Sequence, residues 1–194
     1  MKQKGTIVTN DGQIYDLLKN EEEIKAKIKE LARRIKRDYS HANNNKPPVL
    51  LFVAKGGLYF GIDLSRALEA IDFVHDIDFV QLRRNYPKDE NTPLVDILSW
   101  PQSDLGGRNI IVVEDLIDRG PSLNFLYKNL ALLDPSPANI EFCPLFIKDH
   151  HDKLLFKVKY FGWIVGPNWL IGLGMDSLRK YRGLRAVYQS RTLQ

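Results

Sequence analysis

An α/β fold, with a central, mostly parallel twisted sheet flanked by helices, is what this sequence predicts, on three observations. The runs Val49-Leu50-Leu51-Phe52-Val53 and Ile110-Ile111-Val112-Val113 are apolar without alternation, as strands covered on both faces are. Each leads through a glycine-bearing turn into a segment with apolar residues at helical spacing, which is half of a βαβ unit. The second turn carries Glu114, Asp115 and Asp118 ahead of Gly120, Pro121 and Ser122. In open α/β sheets ligands sit outside the carboxyl ends of strands, so these carboxylates fall where chemistry is expected.

In chain order, Thr6 to Thr9, Asn10-Asp11-Gly12 and Gln13 to Tyr15 predict a small hairpin. Asn20 caps a helix, with Glu23 in the reciprocal position. Ile24, Ile28, Leu31 and Ile35 form its apolar stripe, and Arg33, Arg34, Lys36 and Arg37 crowd its end in agreement with the helix dipole. Ser40 to Pro48 reads as a loop. After Val53, the turn Ala54-Lys55-Gly56-Gly57 lets backbone approach an anion closely, although a plain tight turn has the same pattern. A helix follows with Leu58, Ile62, Leu64, Leu68 and Ile71 among its apolar positions. Ile77 to Leu82 alternates as a strand does, and Arg83 to Pro93 is polar and bracketed by prolines, as a mobile lid would be. Leu94 to Ser99 is a further strand, and Asp104-Leu105-Gly106-Gly107 turns into the organising one. Ile140 to Ile147 predicts a strand ending at Lys148, and Lys157 to Val165 another, closed by the turn Gly166-Pro167-Asn168.

The 194 residues suit one domain with a core of its own. A single cysteine, Cys143, excludes a disulfide framework and fits a reducing cytoplasm. Neither a leader peptide nor a membrane span is expected. The net charge of +4 is spread over helices and loops, so a small anionic ligand explains it as well as a nucleic acid does. Asp149-His150-His151-Asp152 is expected to be a solvated loop, since neighbouring histidines seldom converge on one ion. Gly172-x-Gly174 lacks the third glycine of a dinucleotide fingerprint, and there is no Walker-type loop. The acids of the organising turn can hold sugar hydroxyls, share a hydrated magnesium or move a proton, and Gly120 and Ser122 can receive a phosphate. The alternative is an acidic turn that merely caps its helix.

Three segments taken together, Phe52 to Phe60, Val112 to Leu123, and Trp169 to Asp176 continuing through Tyr181-Arg182-Gly183-Leu184, resemble the hypoxanthine-guanine phosphoribosyltransferases, a branch of the type I phosphoribosyltransferases. The likeness runs in family order from about Glu21 to Tyr188. It implies a single domain, with a core of about 21–149 and a small hood built from about 1–20 and 150–194. It implies that Glu114 and Asp115 hold the ribose hydroxyls and that Asp118, Gly120 and Ser122 belong to the phosphoribosyl pyrophosphate cradle, to which Arg119 is added by a departure of this sequence from the family pattern. By the same resemblance Asp118 is the catalytic acid or base, and Lys148 donates to the 6-oxo group of the base. Trp169 stacks on that base and the backbone of Leu170 reads its 2-position. Asp176 holds a magnesium ion, and Lys55, Gly56 and Arg182 hold pyrophosphate, with a non-proline cis peptide at the Lys55 turn as in relatives. The partners implied are phosphoribosyl pyrophosphate, a 6-oxopurine and further copies of the chain as dimer or tetramer, with no membrane and no nucleic acid.

The sequence departs from that pattern in three places. Pro121 removes a backbone donor from the cradle, and Arg119 adds a charged fork able to replace it. Arg84-Asn85, with Tyr86 one place later, stands where relatives carry a Ser-Tyr pair in the lid. Gly166-Pro167 replaces a Pro-acid pair ahead of the purine segment. These departures motivate a rival expectation, a non-catalytic relative that binds a nucleotide and regulates.

Overall fold

The structure, a computed structural model, describes residues 5–39, 46–85, 94–151 and 153–192. Among the described residues, ten strands and three helices follow one another as β1 (Thr6–Val8), β2 (Ile14–Lys19), α1 (Glu21–Tyr39), β3 (Val49–Ala54), α2 (Gly57–Glu69), β4 (Asp76–Asn85), β5 (Leu94–Ser99), β6 (Asn109–Ile117), α3 (Pro121–Ala131), β7 (Asn139–Lys148), β8 (Trp163–Val165), β9 (Leu170–Ile171) and β10 (Val187–Ser190). The larger sheet has the order β5-β4-β3-β6-β7-β8 and is parallel except where β5 runs against β4. The expected α/β architecture is present.

Its winding fixes where a ligand can bind. From β3 the chain crosses through α2 to β4 on one side, and from β6 it crosses through α3 to β7 on the other. The neighbours β3 and β6 are therefore a topological switch point, with a crevice beyond their carboxyl ends. Leu50, Phe52, Ile111 and Val113 pack on the α1/α2 face, while Val49, Leu51, Ile110 and Val112 pack against Leu123, Leu126 and Leu130 of α3. Both faces are covered, which is why these strands read as unbroken apolar runs.

The smaller sheet, ordered β1-β2-β10-β9, is antiparallel and joins the two ends of the chain over the crevice. Leu170, Leu173, Met175 and Val187 anchor it in the same cluster as α1 and α2.

Local expectations held where local chemistry decides. Asn20 and Glu23 exchange side-chain-to-backbone bonds of 2.9 Å each, closing the capping box at the start of α1. Ile24, Ile28, Leu31 and Ile35 are all buried. In α2 the buried face is Phe60, Leu64 and Leu68, turned to β3, β6 and α1, whereas Ile62 is 43% exposed. Two expectations need correction. Of the lid expected over Arg83 to Pro93, Arg83, Arg84 and Asn85 belong instead to β4, held by bonds from Arg83 and Asn85 to Asp96 of β5, and 86–93 lie outside the described residues. Of Lys157 to Val165 only Trp163–Val165 is a strand. Buried Tyr160 turns instead toward α1, where its hydroxyl donates to Asp38 at 3.0 Å. Strand β10 was not expected at all, since four residues carry little periodicity until β2 and β9 flank them.

Candidate active site

Each segment at the mouth of the crevice contributes by its own local logic. Strand β6 carries Glu114 and Asp115 near its end, Asp118 follows it directly, and Gly120 at a φ of 108° then caps α3, with Pro121 in its first turn. Proline is tolerated there because its missing N–H would have had no intrahelical partner, yet a phosphate at this helix end finds one donor fewer. The Ser122 hydroxyl is the one buried side-chain polar atom among the described residues with no hydrogen-bond partner. An orphaned hydroxyl of this kind points to a ligand-binding surface.

At the end of β3 the Ala54–Lys55 peptide is cis, and Gly56 follows. A Cβ on Gly56 would lie 2.2 Å from Asp115 Oδ2, and one on Gly174 would lie 2.0 Å from the Gly56 carbonyl oxygen. Both positions must be glycine for the turn after β3, the end of β6 and the segment after β9 to meet. That last segment contains Leu173, Leu178, Arg179 and Tyr181 at φ of 45°, 50°, 64° and 71°. Such left-handed residues are each strained by about 1–3 kcal/mol and persist only when their surroundings hold them. Asp176 organises the segment. Its carboxylate accepts from Arg182 at 2.5 Å and from the Arg179 backbone at 2.7 Å, and its carbonyl accepts from the Trp169 indole at 2.7 Å.

One cavity of about 300 Å³ collects these elements. Lys55, Gly56 and Arg182 line it together with Glu114, Asp115, Asp118 and Ser122, and Lys148, Trp169, Leu170 and Asp176 complete the wall. Arg119 and Gly120 instead line an adjoining cavity of about 100 Å³ that shares Glu114, Asp115, Asp118 and Ser122 with the first. The residues to which the resemblance assigns binding or catalytic roles thus line two adjoining cavities. Arg84 lines both, a placement the sequence did not show. Its neighbours Arg83 and Asn85 are turned to Asp96, so strand alternation turns Arg84 to the opposite face. His150 pairs with Asp149 on an exposed loop, and Asp152 lies outside the described residues.

Residues 15–176 match the family model of the phosphoribosyl transferase domain. The chain belongs to the phosphoribosyltransferase family. It is 31% identical over 172 residues to the hypoxanthine-guanine-xanthine phosphoribosyltransferase of Tritrichomonas foetus, covering 88% of each chain. It is 30% identical over 164 residues to the hypoxanthine phosphoribosyltransferase of Escherichia coli K12, covering 84% of this chain and 88% of that one. Among solved structures, a hypoxanthine-guanine phosphoribosyltransferase of Bacillus anthracis superposes with a TM-score of 0.77 at 31% identity, over 90% of this chain and 97% of the other. A variant of the Trypanosoma cruzi hypoxanthine phosphoribosyltransferase, complexed with the product IMP, superposes with a TM-score of 0.80 at 29% identity, over 90% of each chain.

The electrostatics of this phosphoribosyltransferase site are set by burial. Desolvation pushes Glu114 well above the usual carboxylate range, and the adjacent Asp115 charge adds to the push. Burial also raises Asp115, opposed by the Glu114 side chain, the Leu116 N–H and the charge of Arg182. Burial lowers Lys148 against the opposing pull of Asp118 and Asp149. Its ammonium donates to the carbonyls of Gly166, at 2.9 Å, and Asn168, which leaves one N–H for the cavity.

The raised carboxylates make a stability prediction. A folded chain that binds the extra proton more tightly than the unfolded one loses stability as pH rises from the ordinary carboxylate range through the raised value. Glu114→Gln removes that loss. It is expected to raise the Tm of the ligand-free protein at neutral pH and to flatten its dependence on pH. Thermal unfolding at pH 5 and pH 8 checks this; a lower Tm for the variant at pH 8 contradicts it.

Proposed function

We propose that this chain is a purine salvage enzyme that transfers the 5-phosphoribosyl group from phosphoribosyl pyrophosphate to a 6-oxopurine, releasing pyrophosphate. The observation that carries this proposal is a single cavity in which a carboxylate pair, an orphaned hydroxyl, a buried lysine and an exposed indole face one another. The 6-oxopurine is hypoxanthine or guanine, with xanthine as a further candidate, and the product is IMP or GMP.

In the proposed mechanism the ribose hydroxyls donate to the Glu114 and Asp115 pair, and the 5-phosphate rests on the start of α3 with Arg119, Gly120 and Ser122. Trp169 stacks on the base, the free N–H of Lys148 donates to its 6-oxo oxygen, and the Leu170 backbone faces its 2-position. Breaking the bond from ribose to pyrophosphate builds positive charge on the sugar ring, as in other oxocarbenium-like transition states. Asp118 takes the proton from the attacking ring nitrogen as the new carbon–nitrogen bond forms. Lys55, the Gly56 backbone and Arg182 draw off negative charge as pyrophosphate departs.

Magnesium fits this donor set. Among the described residues no group of three or more His, Cys, Asp or Glu converges. Magnesium, however, is commonly bound by one or two carboxylates together with substrate phosphates, and Asp176 on the cavity wall is such a carboxylate. When bound, the ion neutralises charge on the pyrophosphate.

We further propose that the chain works as one phosphoribosyltransferase domain, its hood formed by about 1–20 and 150–194, in the cytoplasm and as a dimer or tetramer. No helix among the described residues is long and apolar enough to cross a membrane. Self-association is supported by Ile77 and Phe79, 52% and 49% exposed on the β4 face that carries α2.

The direct test mixes hypoxanthine, guanine or xanthine with phosphoribosyl pyrophosphate, with and without magnesium, and follows the base absorbance. A magnesium-dependent change with at least one 6-oxopurine is expected. No change with any of them rejects the enzyme in favour of a nucleotide-binding regulator. Arg119 is expected to compensate for the donor lost at Pro121, so Arg119→Ala should raise the KM for phosphoribosyl pyrophosphate about tenfold or more, a charge-assisted bond being worth about 1.5–3 kcal/mol. An unchanged KM removes Arg119 from the cradle.

A further inference from the structure

We infer that Trp169 is a positioning residue that couples the base subsite to the pyrophosphate subsite, a role that rests on the assignment of those subsites above. Its ring lines the cavity and is 45% exposed, so a planar ligand can lie on its face. Its edge does something else. The indole N–H donates to the Asp176 carbonyl at 2.7 Å, and the Asp176 carboxylate accepts from Arg182 at 2.5 Å.

The bond matters because of what it holds. Residues 172–182 leave β9 and return toward β10 through four non-glycine residues in the left-handed region. Other ties of this segment are within itself or to the N-terminal hairpin. Gly174 N–H donates to the Arg182 carbonyl, Arg179 N–H to Asp176, and the Asn10 N–H to the Tyr181 hydroxyl. The indole is the tie that comes from the base-facing wall. Its own backbone is fixed, since Trp169 N–H donates to Ser190 Oγ at 3.0 Å and Trp169 C=O accepts from Ser190 N–H at 2.8 Å. One rigid side chain therefore presents its face to one ligand and its edge to the carboxylate–arginine arm that receives another. A base pressed on the ring restricts its tilt and holds the arm in place. An anion on the arm holds the ring in turn. Linkage requires the two effects to be equal.

Phenylalanine keeps a stacking face and has no donor, and tyrosine carries its hydroxyl at the far end of the ring rather than on the edge where the indole N–H stands. The experiment measures hypoxanthine binding by calorimetry with and without magnesium pyrophosphate, and pyrophosphate binding with and without hypoxanthine. In the wild type each ligand should tighten the other by the same factor, about 5–30-fold, within the ordinary range of coupling between sites. In both Trp169→Phe and Trp169→Tyr this factor should fall to about twofold or less. Addition of magnesium pyrophosphate alone should also shift the tryptophan emission of the wild type and not that of the variants. A coupling factor retained in both variants, or a factor of one in the wild type, overturns the inference while leaving the transferase assignment intact. A wild type that binds neither hypoxanthine nor pyrophosphate removes both.

Discussion

Asp118→Asn is expected to lower kcat by about 10²–10⁴-fold, the usual range for loss of a general base, with the KM for phosphoribosyl pyrophosphate changing by about threefold at most. The substitution is isosteric and keeps a hydrogen-bonding end, so the cradle built by Gly120 and Ser122 has no reason to move. What disappears is the capacity to accept a proton. Asp118 also lines the cavity with Lys148, whose charge it favours. Removing the carboxylate therefore withdraws support from the lysine assigned to the 6-oxo oxygen, and base affinity should weaken alongside turnover. Steady-state kinetics with hypoxanthine separates the two effects. A kcat within about twofold of wild type would show that another group moves the proton.

Gly174→Ala is expected to abolish turnover and to lower Tm by about 6–12 °C, corresponding to roughly 3 kcal/mol in a chain of this size. The added methyl would stand 2.0 Å from the Gly56 carbonyl and 3.2 Å from Asp115 Oδ2, and the backbone φ of 103° is itself unfavourable for alanine. The obstacle is backbone, so no rotamer change relieves it. Either the segment bearing Asp176 withdraws from the cavity or the turn after β3 does. Calorimetric unfolding and pyrophosphate binding check this together. A variant with wild-type Tm and wild-type pyrophosphate affinity would mean that the three segments do not meet as closely as described.

Much of this site was legible before any coordinates. The acids at the end of β6, the glycines after β3 and the capping box of α1 are local signals, each stated within a few residues of chain. The motif order added Lys148, Trp169, Asp176 and Arg182 by resemblance, and all four line the cavity. Arg84 was misread as part of a lid because nothing in the string Arg83-Arg84-Asn85 says which side chain turns inward. That was settled by Asp96 on the neighbouring strand, which takes up the residues on either side.

The sequence by itself determined the long strands β3, β6 and β7, the helices, the α1 capping box and the placing of carboxylates at a strand end, because backbone geometry and apolar periodicity act over short stretches. Only the tertiary structure decided that β3 and β6 lie side by side, that the ends of the chain close over them as one sheet, and that the Trp169 edge reaches Asp176. Those are pairings between distant segments. They are fixed by the joint burial of whole faces, and no single stretch of chain encodes them.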